Sequence, residues 1–285
     1  TSATRVIGLA GAYVALAEGV DGNDTNPAAP AVRTAWSTTH VDYDVGLGLT
    51  FPAAITRSDF YNTGRTRTEF LSANQNDFVF FNADANLQVG TWGFGLSWQL
   101  QRLALQRSVV PAGQQDTRLS ADISQVRFLV ANAFARHQLI VGTGLRISSL
   151  TANNDNAPQG QPSTLFNTVG AAPSMGLLWR PIEQHFRVGA AFHSAFETNV
   201  DASGSIRPDA EGNLVVGAGT SDELYLPEHV SPPWTASVGV AFQVGPRPLN
   251  PRWLDPDDLR EALARQLAWR KHERERYRQI GRAHV

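Results

Sequence analysis

The sequence predicts an all-β chain, a transmembrane antiparallel β-barrel of which about eight strands are present, preceded by a small-residue segment and followed by a helix. Three observations predict it. From His40 to Thr50 apolar residues (Val41, Tyr43, Val45, Leu47, Leu49) alternate strictly with polar or small ones (Asp42, Asp44, Gly46, Gly48), and the same rhythm returns along the chain. Side chains on a strand point to opposite faces in turn, so this pattern gives each strand one apolar and one polar face. The connectors alternate in length: Gly90-Thr91, Arg136-His137 and Pro181–Gln184 are tight, whereas 52–75, 107–119, 152–167 and 200–228 are long and rich in Asn, Asp, Gly, Pro and Ser. Short turns at one end and long loops at the other are the layout of an outer-membrane barrel. Aromatics on the apolar phase (Trp92, Phe94, Phe134, Trp179, Phe186, Phe242) gather within a few residues of the short-turn end, as an interfacial girdle does.

Residues 1–33 are rich in Ala and Gly and unlike a strand. The barrel region spans 34–246, with strands near 35–51, 76–89, 92–106, 120–135, 138–151, 168–180, 185–199 and 229–244. Its polar face carries Asp42, Asp44, Asp84, Arg127, Arg146 and Arg187, too hydrophilic for a protein interior, and these charges are expected to pair with one another or with the N-terminal segment. Residues 247–285 form a charged helical segment: Asp255 is a candidate N-cap, Pro256 occupies the first helical position, and Asp257 and Asp258 favour the positive end of the dipole. Leu259, Leu263 and Leu267 recur at i+4 as a narrow apolar stripe. By connector parity this helix leaves from the periplasmic side, where 255–279 offers a surface to a periplasmic protein. Residues 280–285 resemble a translated sequencing adapter and receive no functional weight; on that reading the natural chain continues beyond Gln279.

Composition narrows the function classes. A net charge of -2 gives no reason to expect a nucleic-acid partner. Without cysteine there is neither disulfide nor thiolate chemistry. The mean hydropathy of -0.23 is compatible with a barrel, whose polar lumen dilutes the average. Catalytic and metal constellations are poor. His272-Glu273 lacks the second histidine of a zinc helix, 21–25 lacks the glycine and closing glutamate of a calcium loop, and no Gly-x-Ser-x-Gly occurs. No enzyme, metal or cofactor is expected.

The stretch Ile7-Gly8-Leu9-Ala10-Gly11-Ala12-Tyr13-Val14-Ala15-Leu16-Ala17, followed by Asn26-Pro27-Ala28, resembles the start of the FadL/TodX-type outer-membrane transport proteins, with Ala29 where their signature has glycine. Leu226-Pro227 and the Ser237–Phe242 strand are a weaker second likeness. The resemblance implies that 1–33 is a hatch or plug, in which Gly8 and Gly11 allow close packing against the wall, Asn26 bonds exposed backbone and Pro27 and Ala28 direct the chain into the first strand. It implies passive uptake of hydrophobic small molecules such as long-chain fatty acids through the outer membrane. The alternative is the same architecture acting as a scaffold or partner-binding component in secretion or envelope assembly; a soluble β-sandwich binding module is a third.

Two further expectations concern the path. Phe78 and Phe80 lie on the inward phase of the second strand, costly in a polar lumen unless a ligand or the hatch covers them, and so are candidate ligand contacts. At Gln101 and Arg102 the apolar phase shifts to Leu103 and Leu105, which a β-bulge would accommodate. A bulge there would mark a lateral exit towards membrane lipid.

Overall fold

The computed structural model describes residues 4–33, 37–50, 55–58, 73–75, 79–107, 118–154, 164–199, 201–202, 205–208, 214–217, 229–251, 253 and 255–282. Eight antiparallel strands follow one another across a single sheet: β1 (Val41–Thr50), β2 (Val79–Val89), β3 (Trp92–Arg107), β4 (Arg118–Phe134), β5 (Leu139–Asn154), β6 (Thr164–Trp179), β7 (Phe186–His193) and β8 (Thr235–Phe242). Short strand pieces such as Ala73–Gln75, which pairs with the end of β3, lie at the long-loop end. The N-terminal segment is a five-residue helix, α1 (Thr4–Gly8), followed by turns and two short 3-10 helices. A second helix, α2 (Pro256–Arg282), starts where the capping pattern places it, with Asp255 accepting the Asp257 amide at 3.0 Å.

The alternation sets the two faces. Leu47, Leu87, Leu96, Val130, Leu145, Leu177, Phe192 and Val240, one from each strand, all stand exposed on the apolar face. Opposite them Asp84, Asn86, Gln88, Ser97, Gln99, Arg127 and Arg187 are buried, so the polar face is the covered one. What covers it is the N-terminal segment, whose Tyr13, Ala17, Asn23, Asn26, Ala28 and Ala29 are fully buried. Registers carry the apolar phase across the sheet. Val41 pairs with Val89, Val89 with Trp92, and the row continues through Asn132, Val141, Leu177 and Ala190 to Val238, four residues short of the end of β8. The strands are therefore slanted relative to the row of turns.

The sheet does not close. Strands β1 and β8 are its two edges among the described residues and are not hydrogen-bonded to each other, so the expected transmembrane barrel, of which about eight strands were to be present, is replaced here by an open sheet. The physical reason lies on the polar face. An eight-stranded barrel has an interior just wide enough for its own side chains, and here that space holds the backbone of residues 13–33. The same stretch touches both edges: an added side chain at Gly239 of β8 would meet Val14 at 2.6 Å, and one at Gly46 of β1 would meet Val20 at 2.9 Å.

The expected bulge in β3 is also absent. Its ladder to β4 runs unbroken from Trp92–Asn132 to Gln106–Arg118, with Gln101 opposite Ile123 and Arg102 opposite Asp122. The change of apolar phase is absorbed without an extra residue because Arg102 stays on the exposed face, 3.8 Å from Asp122.

Candidate functional site: the seat of the N-terminal segment

Small residues make the seat: glycines of the strands receive the segment, and the segment's own buried Ala28 and Ala31 pack against Ala131 and Ala133. Gly142 of β5 and Gly176 of β6 sit against Pro27 and Asn26 so closely that a methyl group on either would penetrate them. Gly93 and Gly95 of β3 receive Pro30, and Gly189 of β7 receives Val14 and Ala15. Gly8 and Gly11, expected to pack against the wall, are exposed with open space around them. Gly11 serves instead to turn the chain, with φ +83°.

Asn26 is the hub of the docking. Its amide nitrogen donates to the carbonyls of Val14 (2.9 Å) and Leu177 (3.1 Å), and its oxygen accepts the amide of Ala28 at 3.0 Å. One side chain thus ties two parts of the segment to β6, and Pro27 and Ala28 follow buried.

Four of the six wall charges, Asp42, Asp44, Arg127 and Arg187, bond to the segment, whereas Asp84 is held within the sheet and Arg146 donates to the Ser194 carbonyl at 3.0 Å. Arg127 of β4 reaches the buried Asp24 carboxylate, which also accepts from Gln99 and, at 3.0 Å, from Ser97. Burial raises the Asp24 pKa, and the adjacent Arg127 guanidinium and the Ser97 hydroxyl pull it back. Asp44 accepts the amide of Val20 at 3.1 Å, and Arg187 of β7 binds Glu18 at 3.0 Å. Asn82 donates to Asp84 at 2.9 Å within β2.

A second cluster closes the short-turn end. The buried Arg33 donates to the carbonyls of Gly90, Thr39 and His40 and pairs with Asp42 at 2.6 Å, fixing the segment's exit to the start of β1. Its guanidinium lies 4.8 Å over the Trp253 ring, and His137 meets that ring edge-on at 4.6 Å. Burial, then the charges of Arg33 and Arg180, lower the His137 pKa to about 4. The strap after β8 is held the same way: Asn250 donates to the carbonyls of Pro181 and Phe186 and accepts from Arg187. This strap crosses the turn end, so that α2 begins beside the opposite edge, with His40 3.2 Å from Asp257.

His40, Asp255 and Asp257 bring ligand atoms within 4.8 Å of one another, the metal-ligating group found among the described residues. Its geometry is already accounted for by the Asp255 cap and the His40–Asp257 pair. Of the candidate ligand contacts, Phe78 lies outside the described residues, and Phe80 is half-buried in β2 between Thr50 and Gln101. Gln101 and Arg102 are ladder positions. Sequence reasoning missed Asp24, Arg33 and Asn250, the residues that bind segment and strap; Arg33 alone carried a signal, as a lone cation ending an apolar run.

No family model matches the chain, and no curated protein does. A solved structure, the "TodX deltaS2S3 mutant monoaromatic hydrocarbon channel", aligns over 80% of this chain at 12% identity with a TM-score of 0.49. This chain spans 62% of that structure's length. A likeness at that level transfers no residue role, so function is read from the geometry of the seat and the sheet.

That geometry overturns the expectation of a channel for passive uptake of hydrophobic molecules. A conduit needs a wall sealed around it, and among the described residues the wall ends at two edges without a further strand while the polar face is filled by the segment. Cavities lie along the edges, of about 660 Å3 between Gly11–Ala15 and β8 and about 260 Å3 between Val20, Asp21 and β1, and another of about 520 Å3 lies among Glu18, Arg33, Arg180 and Arg187.

Proposed function

We propose that this protein is a membrane-associated scaffold of the outer envelope that holds partner proteins. The observation that carries the reading is the predominantly apolar face that runs across all eight strands, broken by the Arg102–Asp122 pair toward the long-loop end, with Trp92, Phe94, Phe134, Trp179 and Phe242 exposed as a row at its turn end. Soluble monomers rarely expose a contiguous apolar patch beyond a few hundred Å2, and lipid is the medium in which such a face is stable. The aromatic row sits where rings with an apolar body prefer the headgroup level. Helix α2 supports the partner-holding part of the reading: it is anchored at one end by His40 and exposes Leu263, Leu267 and Trp269 along a charged shaft.

Flotation tests this. Protein folded in detergent and reconstituted with phosphatidylcholine vesicles is expected to rise with the lipid in a density gradient, and a Leu47→Arg, Leu96→Arg double variant to stay behind. Charges on a lipid-facing strand surface cost about 2–4 kcal/mol each near the bilayer midplane. Native protein that stays monodisperse without detergent and ignores vesicles would overturn the reading.

A further inference from the structure

Four arginines are buried among the described residues, and three of them have a carboxylate. Arg33 pairs with Asp42, Arg127 with Asp24 and Arg187 with Glu18. Arg180, 5% exposed, pairs with none of the described carboxylates. Its guanidinium carries five N–H donors and makes a single bond to the described residues, a donation to the Pro251 carbonyl at 3.5 Å. A charge taken out of water without a counter-charge is strongly disfavoured, and here the protein's own described carboxylates do not supply one.

The local chain fixes Arg180 in that position. It follows Trp179, the last residue of β6, whose ring stands on the apolar face, so the alternation of the strand turns residue 180 to the polar face. Its amide donates to the Gln138 carbonyl at 2.7 Å, and Pro181 begins the tight turn to β7. There it lines the cavity of about 520 Å3, which is bounded by the strap residues Pro248, Leu249 and Pro251 and by Leu16 and Glu18 of the segment. Three more arginines, Arg5, Arg33 and Arg187, line the same cavity. Glu18 is divided between Arg5 at 3.2 Å and Arg187 at 3.0 Å, and Arg187 donates its other nitrogens to Asn250 and Leu249. Asp21 and Asp44 lie on the β1 side, Asp44 holding the Val20 amide. The charges that act on Arg180 are Arg187, which opposes it, and Glu18. Burial, then Arg187, lower its pKa to about 10, so it keeps its proton at neutral pH.

We propose that this cavity binds one phosphate group, with Arg180 as its principal donor and the half-exposed Arg5 as a second cation on the cavity wall. A guanidinium presents paired donors to an oxyanion. A tetrahedral phosphate accepts from several directions, as arginines on different elements require, whereas a planar carboxylate is filled by one fork. The same chemistry is found in a free phosphate compound and in a lipid headgroup, and Trp179 beside Arg180 belongs to the aromatic row that the membrane reading places at headgroup level.

The test uses the full chain folded in a detergent without phosphate, in buffer free of phosphate and sulfate at constant ionic strength. Isothermal titration with inorganic phosphate is expected to show saturable binding of one ion per chain. Arg180→Gln, which removes the charge and the fork, is expected to weaken that binding by about tenfold or more, the loss of at least one charge-assisted bond. Arg5 is exposed enough for Arg5→Gln to fold whether or not Arg180→Gln does, and Arg5→Gln is expected to weaken binding severalfold. Arg270→Gln, on the exposed shaft of α2, should change nothing. Absence of saturable binding by the native chain overturns the proposal. So does unchanged affinity in folded Arg180→Gln or, if that variant does not fold, in Arg5→Gln, because the ion would then sit elsewhere. Phosphatidylglycerol added to the micelles distinguishes the two sources. Displacement of phosphate supports the proposal with a lipid headgroup as the occupant, and undiminished binding supports it with a free phosphate compound.

Discussion

Gly142→Ala should loosen the N-terminal segment without touching the sheet. A methyl group at residue 142 would stand 2.6 Å from the Ala28 amide nitrogen and nearer still to the Pro27 carbonyl. Both are backbone, so the segment must retreat, and retreat strains the Asn26 bonds to Val14, Leu177 and Ala28. Overpacking of this kind costs about 1–3 kcal/mol, equivalent to a rise of roughly 5–150-fold in the fraction of time the segment is open. Amide hydrogen exchange in detergent reads that fraction directly at Asn26, Ala28 and Ala29. Gly8→Ala is the control, because a methyl there meets nothing within 4 Å. Equal exchange in Gly142→Ala and native protein, or an equal effect from Gly8→Ala, would refute the claim that strand glycines form the seat.

Asn26→Ala removes three hydrogen bonds and strands buried carbonyls, so segment protection should fall by about 1–3 kcal/mol in the same exchange experiment, with strand amides unchanged. Asp24→Asn leaves Arg127 buried without its counter-charge and should destabilise the fold by about 3–5 kcal/mol in denaturant titration; adding Arg127→Gln should recover part of that loss. Lowering the pH should destabilise the turn cluster. His137 stays neutral down to about pH 4 in the fold, while an unfolded histidine takes its proton near 6.5. Between those values the unfolded chain binds more protons, so stability is full above about pH 6.5 and falls by about 3 kcal/mol at most as pH drops to about 4. His137→Asn, which tolerates the positive φ of 63°, should flatten that slope; an unchanged slope would exclude His137 as its source.

Strands and faces were legible in the sequence because both are local. Period-two alternation in 40–50, 79–89 and 92–101 depends on neighbours two residues away, and so does the Asp255-Pro256 start of α2. Closure is not local: whether β1 meets β8 depends on what occupies the polar face and on how many strands share the circumference. The phase change after Gln101 was visible, yet sequence alone does not distinguish an inserted residue from a strand that keeps its facing and ladder to Gln106 while apolar residues move to its other face. The seat was misassigned for a related reason. A glycine in an Ala/Gly-rich stretch and a glycine on a strand's polar face look alike until the partner surface is known: Gly8 and Gly11 face open space, whereas Gly142 and Gly176 lie against the backbone of the segment.

The bonds that hold the segment join residues far apart in the chain: Asp24 to Arg127 across 103 residues, Asn26 to Leu177 across 151, and Glu18 to Arg187 across 169. The part of the chain synthesised first therefore finds its place last, after the seventh strand exists. Chains dominated by such distant contacts fold slowly and expose unpaired surface while they wait. A sheet lacking its later strands would leave the segment loose and open to proteolysis, so a protease that trims this terminus would discriminate assembled molecules from stalled ones.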